Sequence, residues 1–264
     1  GSMKDSIRKA SALVEALPYI QAFRNAVVIV KFGGSSMEDE ESKRSILRDI
    51  VFMECAGMKP MIVHGGGKAI SARLAAEGVE TRFVNGLRYT DDRTISIVDD
   101  VLHNDVNADL VSIMNDLHGK PFPLSGRNVL RAERAVSFDQ ETGAQIDLGH
   151  VGRVVNVDSE QLEWVLNRGQ VPVITPLARD MDGQLYNVNA DMAACRIAAE
   201  LCARKLVFLS DVPGILREAD DPGSLISTVT RNEVEPLIRE QIIVGGMVPK
   251  VRSAVEAIEA GTGK

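Results

Sequence analysis

A lysine at the end of an apolar strand, followed by paired glycines, is a combination suited to holding phosphate. The stretch 27–35 supplies it, with Val27, Val28, Ile29 and Val30 leading into Lys31, Phe32, Gly33 and Gly34. So continuous a β-branched run suits a strand buried on both faces, and the carboxyl end of such a strand is where parallel α/β sheets bind ligands. Lys31 brings a compact positive charge, and glycines let an anion approach backbone N–H groups. An ordinary strand-to-turn junction carries the same residues, so the pattern gains force only from a second one. Met61, Ile62 and Val63 run into His64, Gly65, Gly66 and Gly67, and a helix-like segment follows over 68–77. Three glycines at a strand-to-helix junction expose orphan amides, a general way of holding an anion. Gly67 and Lys68 look like the end of a P-loop, but the first glycine and the hydroxyl residue after the lysine are missing, which excludes that motif. Two glycine-rich exits in consecutive β-α units point to a phosphate held between loops.

Four more constellations could carry chemistry. Arg88, between a turn and Thr90-Asp91, could hold a substrate carboxylate as a bidentate pair, and a solvated surface arginine fits the local sequence equally well. Asn187, Asn189 and Asp191 alternate along an extended segment before a helix, where a lone Asp would serve as a cap. Gly245 and Gly246 precede a helix with Lys250 in its first turn. Ser210 and Asp211 end a strand where a nucleotide or a plain turn could follow.

The elements that would position these residues alternate. Apolar spacing at Ile7, Ala10, Leu13, Val14 and Leu17 predicts a helix over 4–23 that Pro18 should kink or restart. Its apolar face must be buried on the body or on a neighbouring subunit. A helix should begin at the acidic residues Glu38 to Glu41 and reach about Gly57, and one or two helices should span 92–117. Turn signals between 121 and 157 suggest hairpins lying over a parallel sheet. Further elements are a helix over 159–168, a strand over 171–175, a turn at Asp182-Gly183, a helix over 190–203 and a strand over 205–209. Helices are also expected over 231–240 and 249–259. This alternation predicts an α/β protein with a mainly parallel sheet covered by helices on both sides.

At 264 residues the chain has room for one large domain or two lobes. Its net charge of −7 argues against a nucleic-acid surface. No run reaches membrane-spanning length and no secretory signal is visible, so a cytoplasmic location is expected. Cys55, Cys195 and Cys202 have no metal-ligand spacing and are expected to be buried thiols. Gly1-Ser2 ahead of Met3 reads as an expression remnant.

Taken in order, Lys31-Phe32-Gly33-Gly34, His64-Gly65-Gly66-Gly67, the segment from Asn85 to Asp91, Asn187-Val188-Asn189-Ala190-Asp191, Ser210-Asp211-Val212-Pro213-Gly214 and Gly245-Gly246-Met247-Val248-Pro249-Lys250 resemble the acetylglutamate kinases of the amino-acid-kinase family. The resemblance implies a two-lobed three-layer sandwich. Residues 3–24 would form an oligomerisation helix, 25–176 a lobe for N-acetyl-L-glutamate, and 177–264 a lobe for ATP. The implied reaction is phosphorylation of the side-chain carboxylate, the second step of arginine biosynthesis. Lys31 and Lys250 would flank the transferring phosphoryl group and Asp191 would orient them. Gly33, Gly34 and Gly65 would offer N–H groups to phosphates, Gly66 and Gly67 would serve the acceptor, Arg88 and Asn187 would hold its amino-acid end with Asn189 in the same substrate motif, and Ser210 and Asp211 would approach the nucleotide.

The chemistry suits these roles. Phosphoryl transfer needs alignment and charge stabilisation, and an acceptor carboxylate with a reference pKa of about 4.3 needs no general base. Hence none of the four histidines is required as a catalyst, and His64 is as readily structural. Mg²⁺ would be held by ATP phosphates and water, with no protein metal ligand expected. The N-terminal helix resembles that of arginine-inhibited members, which form hexamers as trimers of dimers, making arginine a candidate effector. Two features depart from the family. Its C-terminal strand and helix have no counterpart after Lys264, and Arg127-Asn128 replaces a commoner Lys-Asp pair. The alternatives are a kinase for another acyl-amino acid of the aminoadipate type, and a non-catalytic arginine- or nucleotide-binding regulatory subunit.

Overall fold

The computed structural model describes residues 2–209 and two short paired strands, Ile215–Leu216 and Leu225–Ile226. The expected helices over 231–240 and 249–259 lie outside the described residues. Helix α1 (Met3–Phe23) is capped by the Ser2 hydroxyl, which accepts from the Asp5 N–H. Pro18 does not restart it, and the helix runs through to Phe23. Met3, Ile7, Val14 and Leu17 recur at helical spacing and are exposed, so this chain alone leaves an apolar stripe uncovered. Arg204 and Lys205 lie over the Phe23 ring and tie the end of α1 to the body.

Strand β1 (Val27–Phe32) leads through one helical turn, α2 (Ser35–Glu38), into α3 (Glu40–Cys55). The acidic run expected to begin a single helix is divided at Asp39, which caps α3 by accepting from the Ser42 N–H. Strand β2 (Lys59–His64) and helix α4 (Gly67–Ala76) repeat the unit. A small hairpin, β3 (Phe83–Val84) and β4 (Leu87–Arg88), turns at Asn85 and Gly86, both at positive φ. Helices α5 (Asp92–Asp100) and α6 (Ala108–Asp116) are joined without interruption by a π-helical segment, Val101–Asn107.

There follow β5 (Pro121–Leu124), the hairpin β6 (Leu130–Phe138) and β7 (Gln145–Val157), α7 (Ser159–Asn167), β8 (Val171–Ile174), β9 (Leu177–Arg179), β10 (Leu185–Val188), α8 (Ala190–Glu200) and β11 (Lys205–Leu209). Five strands form a parallel sheet in the order β11-β1-β2-β8-β5. The strands β6, β7, β9 and β10 close into a small barrel. The reading of 121–157 as hairpins over the sheet is corrected at its start: β6 and β7 pair as a hairpin, but β5 is an edge strand of the sheet itself. Its two prolines suit an edge, because one side of the strand needs no N–H donor.

Alternation along the strands builds the layers. Ile29 of β1 joins Leu162, Leu166, Ala193 and Ile197 on the face covered by α7 and α8. Val28, Val30 and Phe32 pack on the other face with Leu47, Ile50, Leu110 and Met114 of α3 and α6. The protein is thus an α/β three-layer sandwich around a parallel sheet. Because successive side chains change face, Lys31 follows Ile29 toward α8, while His64 follows Ile62 toward α6. Residues 177–209 are built into the same body, since β9 and β10 close the barrel, α8 covers the sheet and β11 extends it.

Cysteine burial also needs correction. Only Cys195 is buried, where desolvation pushes its thiol up to about 12. Cys55, at the end of α3, and Cys202, just past α8, are exposed. Among the described residues no helix is long and apolar enough to cross a membrane.

Candidate active site

The two glycine loops leave the sheet side by side. In the β1–β2 register Phe32 pairs with His64, so Gly33 and Gly65 depart at the same level. Their N–H groups, expected to face a ligand, are used by the sheet: Gly33 donates to the Leu209 carbonyl at 3.0 Å and Gly65 to the Phe32 carbonyl at 2.8 Å. The sheet ladder extends one residue beyond each strand, so these glycines serve through what they lack. A Cβ on Gly33 would stand 2.9 Å from Lys31 Nζ, and bare backbone is what lets the ammonium lie there. Gly34 takes a positive φ of 66°. Gly66 is the N-cap of α4 with no side-chain cap, which leaves first-turn amides for an anion. Gly34, Gly66 and Gly67 line a cavity of about 750 Å³ with Glu38, Lys43 and Lys68 at its wall.

Lys31 Nζ lies 3.1 Å from Asp191 Oδ1, and both side chains are more than nine-tenths buried. Asp191 reaches it from the first turn of α8. The neighbouring Asn189 is the N-cap of that helix, its Oδ1 accepting from the Met192 N–H at 3.0 Å, so the capping role that Asp191 could have had falls to Asn189. An ammonium has three donors, and the Asp191 contact holds the group while leaving donors for a phosphate.

Arg88 is 7% exposed. Its Nη2 donates to the Gly67 carbonyl at 3.0 Å and to Ser71 Oγ at 2.9 Å, and the guanidinium lies over the Phe83 ring. Among the described residues Nη1 is buried without a partner and no carboxylate neutralises the group. Burial pulls its pKa down. Thr90 Oγ donates to the Arg88 carbonyl and meets Asn187 Nδ2 at 3.5 Å, so Asn187 and Arg88 approach one another through Thr90. Ser71 and Thr90 were not singled out from the sequence. Ser71 sits one helical turn beyond Gly67, and that spacing alone could have suggested it.

His64 is fully buried, and desolvation lowers its pKa to about 4. Unfolded, it takes up a proton near 6.5; folded, it stays neutral down to about 4. Its contribution to stability is therefore fully present above the unfolded value and is lost as pH falls through that window. Wild type should lose about 2 kcal/mol more stability between about pH 7 and pH 5 than His64→Asn, read by urea unfolding at each pH. Equal pH slopes in the two proteins would contradict this.

The structure thus brings together Lys31, Gly33, Gly34, Gly65, Gly66, Gly67, Arg88, Asn187 and Asp191 around one loop. Ser210, Asp211 and Lys250 lie outside the described residues. Among the described residues no cluster of three His, Cys, Asp or Glu could hold a metal.

The amino acid kinase family profile matches residues 26–264, and the chain belongs to that family. Among curated proteins it is similar to an acetylglutamate kinase of Akkermansia muciniphila, 44% identical over 259 residues that cover 98% of this chain and 87% of that protein. It is also 44% identical to an acetylglutamate kinase of Petrotoga mobilis over 259 residues, 97% of this chain and 84% of that protein. Among solved structures, the N-acetylglutamate synthase from Neisseria gonorrhoeae shares the fold with a TM-score of 0.76 at 21% identity, over 99% of this chain and 57% of that one.

Proposed function

We propose that this chain is a kinase that moves the γ-phosphoryl group of ATP onto the side-chain carboxylate of N-acetyl-L-glutamate, the second step of arginine biosynthesis. The observation that carries the reading is a buried arginine that no described carboxylate neutralises and a buried lysine held by Asp191, on either side of the glycine loop of a chain 44% identical to acetylglutamate kinases. A carboxylate oxygen of the acceptor attacks the γ-phosphorus, the bond to the β-phosphate oxygen breaks, and ADP leaves. The acceptor is ionised at neutral pH, so no proton has to be removed. Lys31 meets the charge that spreads over the transferring oxygens, with the open amides of α4 and Gly34 beside it. Arg88 and Asn187 take the amino-acid end of the acceptor. Ser210, Asp211 and Lys250 are assigned to the nucleotide side.

Mg²⁺ supplies charge neutralisation on the ATP phosphates, and the described residues suit a metal carried by ATP and water, since Asp191 is already engaged by Lys31. Residues 25–176 are read as the acceptor lobe and 177–264 as the contributor of the nucleotide side, in a cytoplasmic enzyme. The exposed stripe of α1 supports a role for 3–24 in assembling a hexamer as a trimer of dimers, with arginine as effector. Light scattering should give the mass of six chains, and a monodisperse dimer at assay concentration counts against it.

The function itself is tested by ATP-dependent acyl-phosphate formation, trapped with hydroxylamine, on N-acetylglutamate, glutamate, aspartate and aminoadipate derivatives, with and without arginine. Turnover selective for N-acetylglutamate is expected. Preference for an aminoadipate derivative would move the assignment to that acceptor, and ATP binding without any acyl phosphate would move it to a regulatory subunit.

A further inference from the structure

The glycine loop 65–67 is held from behind by a buried polar chain that phosphoryl transfer does not otherwise use. His64 is 0% exposed and Asn107 1%. Asn107 Nδ2 stands 2.9 Å from the Val173 carbonyl oxygen, which can only accept, and 3.0 Å from His64 Nε2. Both hydrogens of the NH₂ group are therefore donated, and Nε2 must accept. A neutral imidazole then carries its proton on Nδ1, 2.8 Å from the Gly65 carbonyl oxygen, which takes that hydrogen bond. We infer that His64, oriented by Asn107, is a positioning residue that fixes the Gly65–Gly66 peptide so that the Gly66 N–H faces the cavity lined by Gly34, Gly66 and Gly67.

The inference rests on the kinase reading above. In a trans peptide the C=O and N–H point in opposite directions, so a clamp on the Gly65 oxygen sets the direction of the Gly66 N–H. Two adjacent glycines would otherwise let that peptide rotate at little steric cost. The π-helical segment completes the clamp. Its Leu102 and Val106 fill the space where a Gly66 Cβ would sit, at 2.6 and 3.3 Å, and Asn107 is its last residue. Such segments recur at functional sites because the extra residue re-aims the side chains that follow. Here the re-aimed side chain is the one that fixes the histidine tautomer. The burial that keeps His64 neutral at working pH keeps its Nε2 an acceptor and so maintains the arrangement.

Two substitutions separate the two ring nitrogens. His64→Asn carries a carboxamide N–H where Nδ1 stood and can keep the Gly65 bond, while His64→Gln reaches only the Nε2 position, keeping the Asn107 bond and releasing Gly65. Both lose the ring, so both should lower Tm to a similar degree. His64→Gln is expected to lower kcat by roughly thirtyfold, with KM for N-acetylglutamate changed less than threefold, and His64→Asn to recover about tenfold of that loss. Equal losses of kcat in both variants, or losses that track Tm, would overturn the inference. If neither variant folds, the ¹H–¹⁵N spectrum of the wild-type imidazole decides, independently of turnover. A neutral Nδ1–H tautomer at about pH 6 to 8 is expected, and an Nε2–H tautomer or a ring that titrates in that range would overturn it. Failure of the kinase reading has a different signature, a wild-type protein without N-acetylglutamate turnover.

Discussion

Replacing Lys31 by Met, which keeps the length of the side chain and removes its charge, is expected to lower kcat about 100- to 1,000-fold. The same change takes away the ammonium that the buried Asp191 carboxylate meets at 3.1 Å, and breaking a buried ion pair by removing one partner should also cost about 3–5 kcal/mol of stability. Taken alone, either loss is ambiguous, because an unfolding enzyme also loses activity. The double variant Lys31→Met with Asp191→Asn resolves this. Removing both charges takes the carboxylate away together with its lysine, and replacing a buried ion pair with neutral groups of similar volume is often close to neutral. Stability should return to within about 1 kcal/mol of wild type while kcat stays at the level of the single variant. Urea unfolding and steady-state kinetics on the four proteins of the cycle provide the measurement. Recovery of kcat together with stability would show that the pair only holds α8 against β1.

Each member of that pair carries a local signal, a lysine at a strand exit and an acid beside a helix start, but their pairing was implied only by the family resemblance. The glycines beside it were half legible. Sequence marks where a strand ends in composition, but not where its hydrogen-bond ladder ends, and Gly33 and Gly65 each donate one residue beyond their strands. Their expected role as donors to phosphate therefore passes to Gly34, Gly66 and the first turn of α4. His64 and Asn107 were not legible as a pair, because they lie 43 positions apart and Asn107 ends a π-helical segment that periodicity does not mark. Apolar periodicity describes α5 and α6 well but passes over the residue at which the turn widens. Exposure was misjudged for Cys55 and Cys202 for a related reason. Both lie at helix ends, where an apolar neighbourhood in sequence ceases to be an interior one in space. In β5 the prolines and nearby turn signals read as a hairpin, and only the register with β8 shows a parallel edge strand.

Arg88→Met should raise KM for N-acetylglutamate roughly 30- to 1,000-fold, the loss expected on removing a desolvated partner from a buried charge pair, with a smaller effect on KM for ATP. Arg88→Lys should do little better. The wild-type guanidinium uses Nη2 for Gly67 and Ser71 and holds Nη1 in reserve, and one ammonium cannot occupy both positions. The stability effect has the opposite sign to that at Lys31. Without ligand, Arg88 is a buried cation that no described carboxylate neutralises, and its lowered pKa records the strain of desolvation. Replacing it with an apolar side chain removes a charge rather than stranding one. The unliganded variant should accordingly unfold no earlier than wild type, while losing the rise in Tm that saturating N-acetylglutamate gives wild type. A thermal-shift series with and without the acceptor measures both. If the unliganded variant falls by several kcal/mol yet is still protected by N-acetylglutamate, Arg88 is a strut between the β3–β4 hairpin and α4, and the acceptor is held elsewhere. The two cations thus make opposite predictions from one principle. The lysine has its counterion within the fold, whereas the arginine is left for the substrate to neutralise.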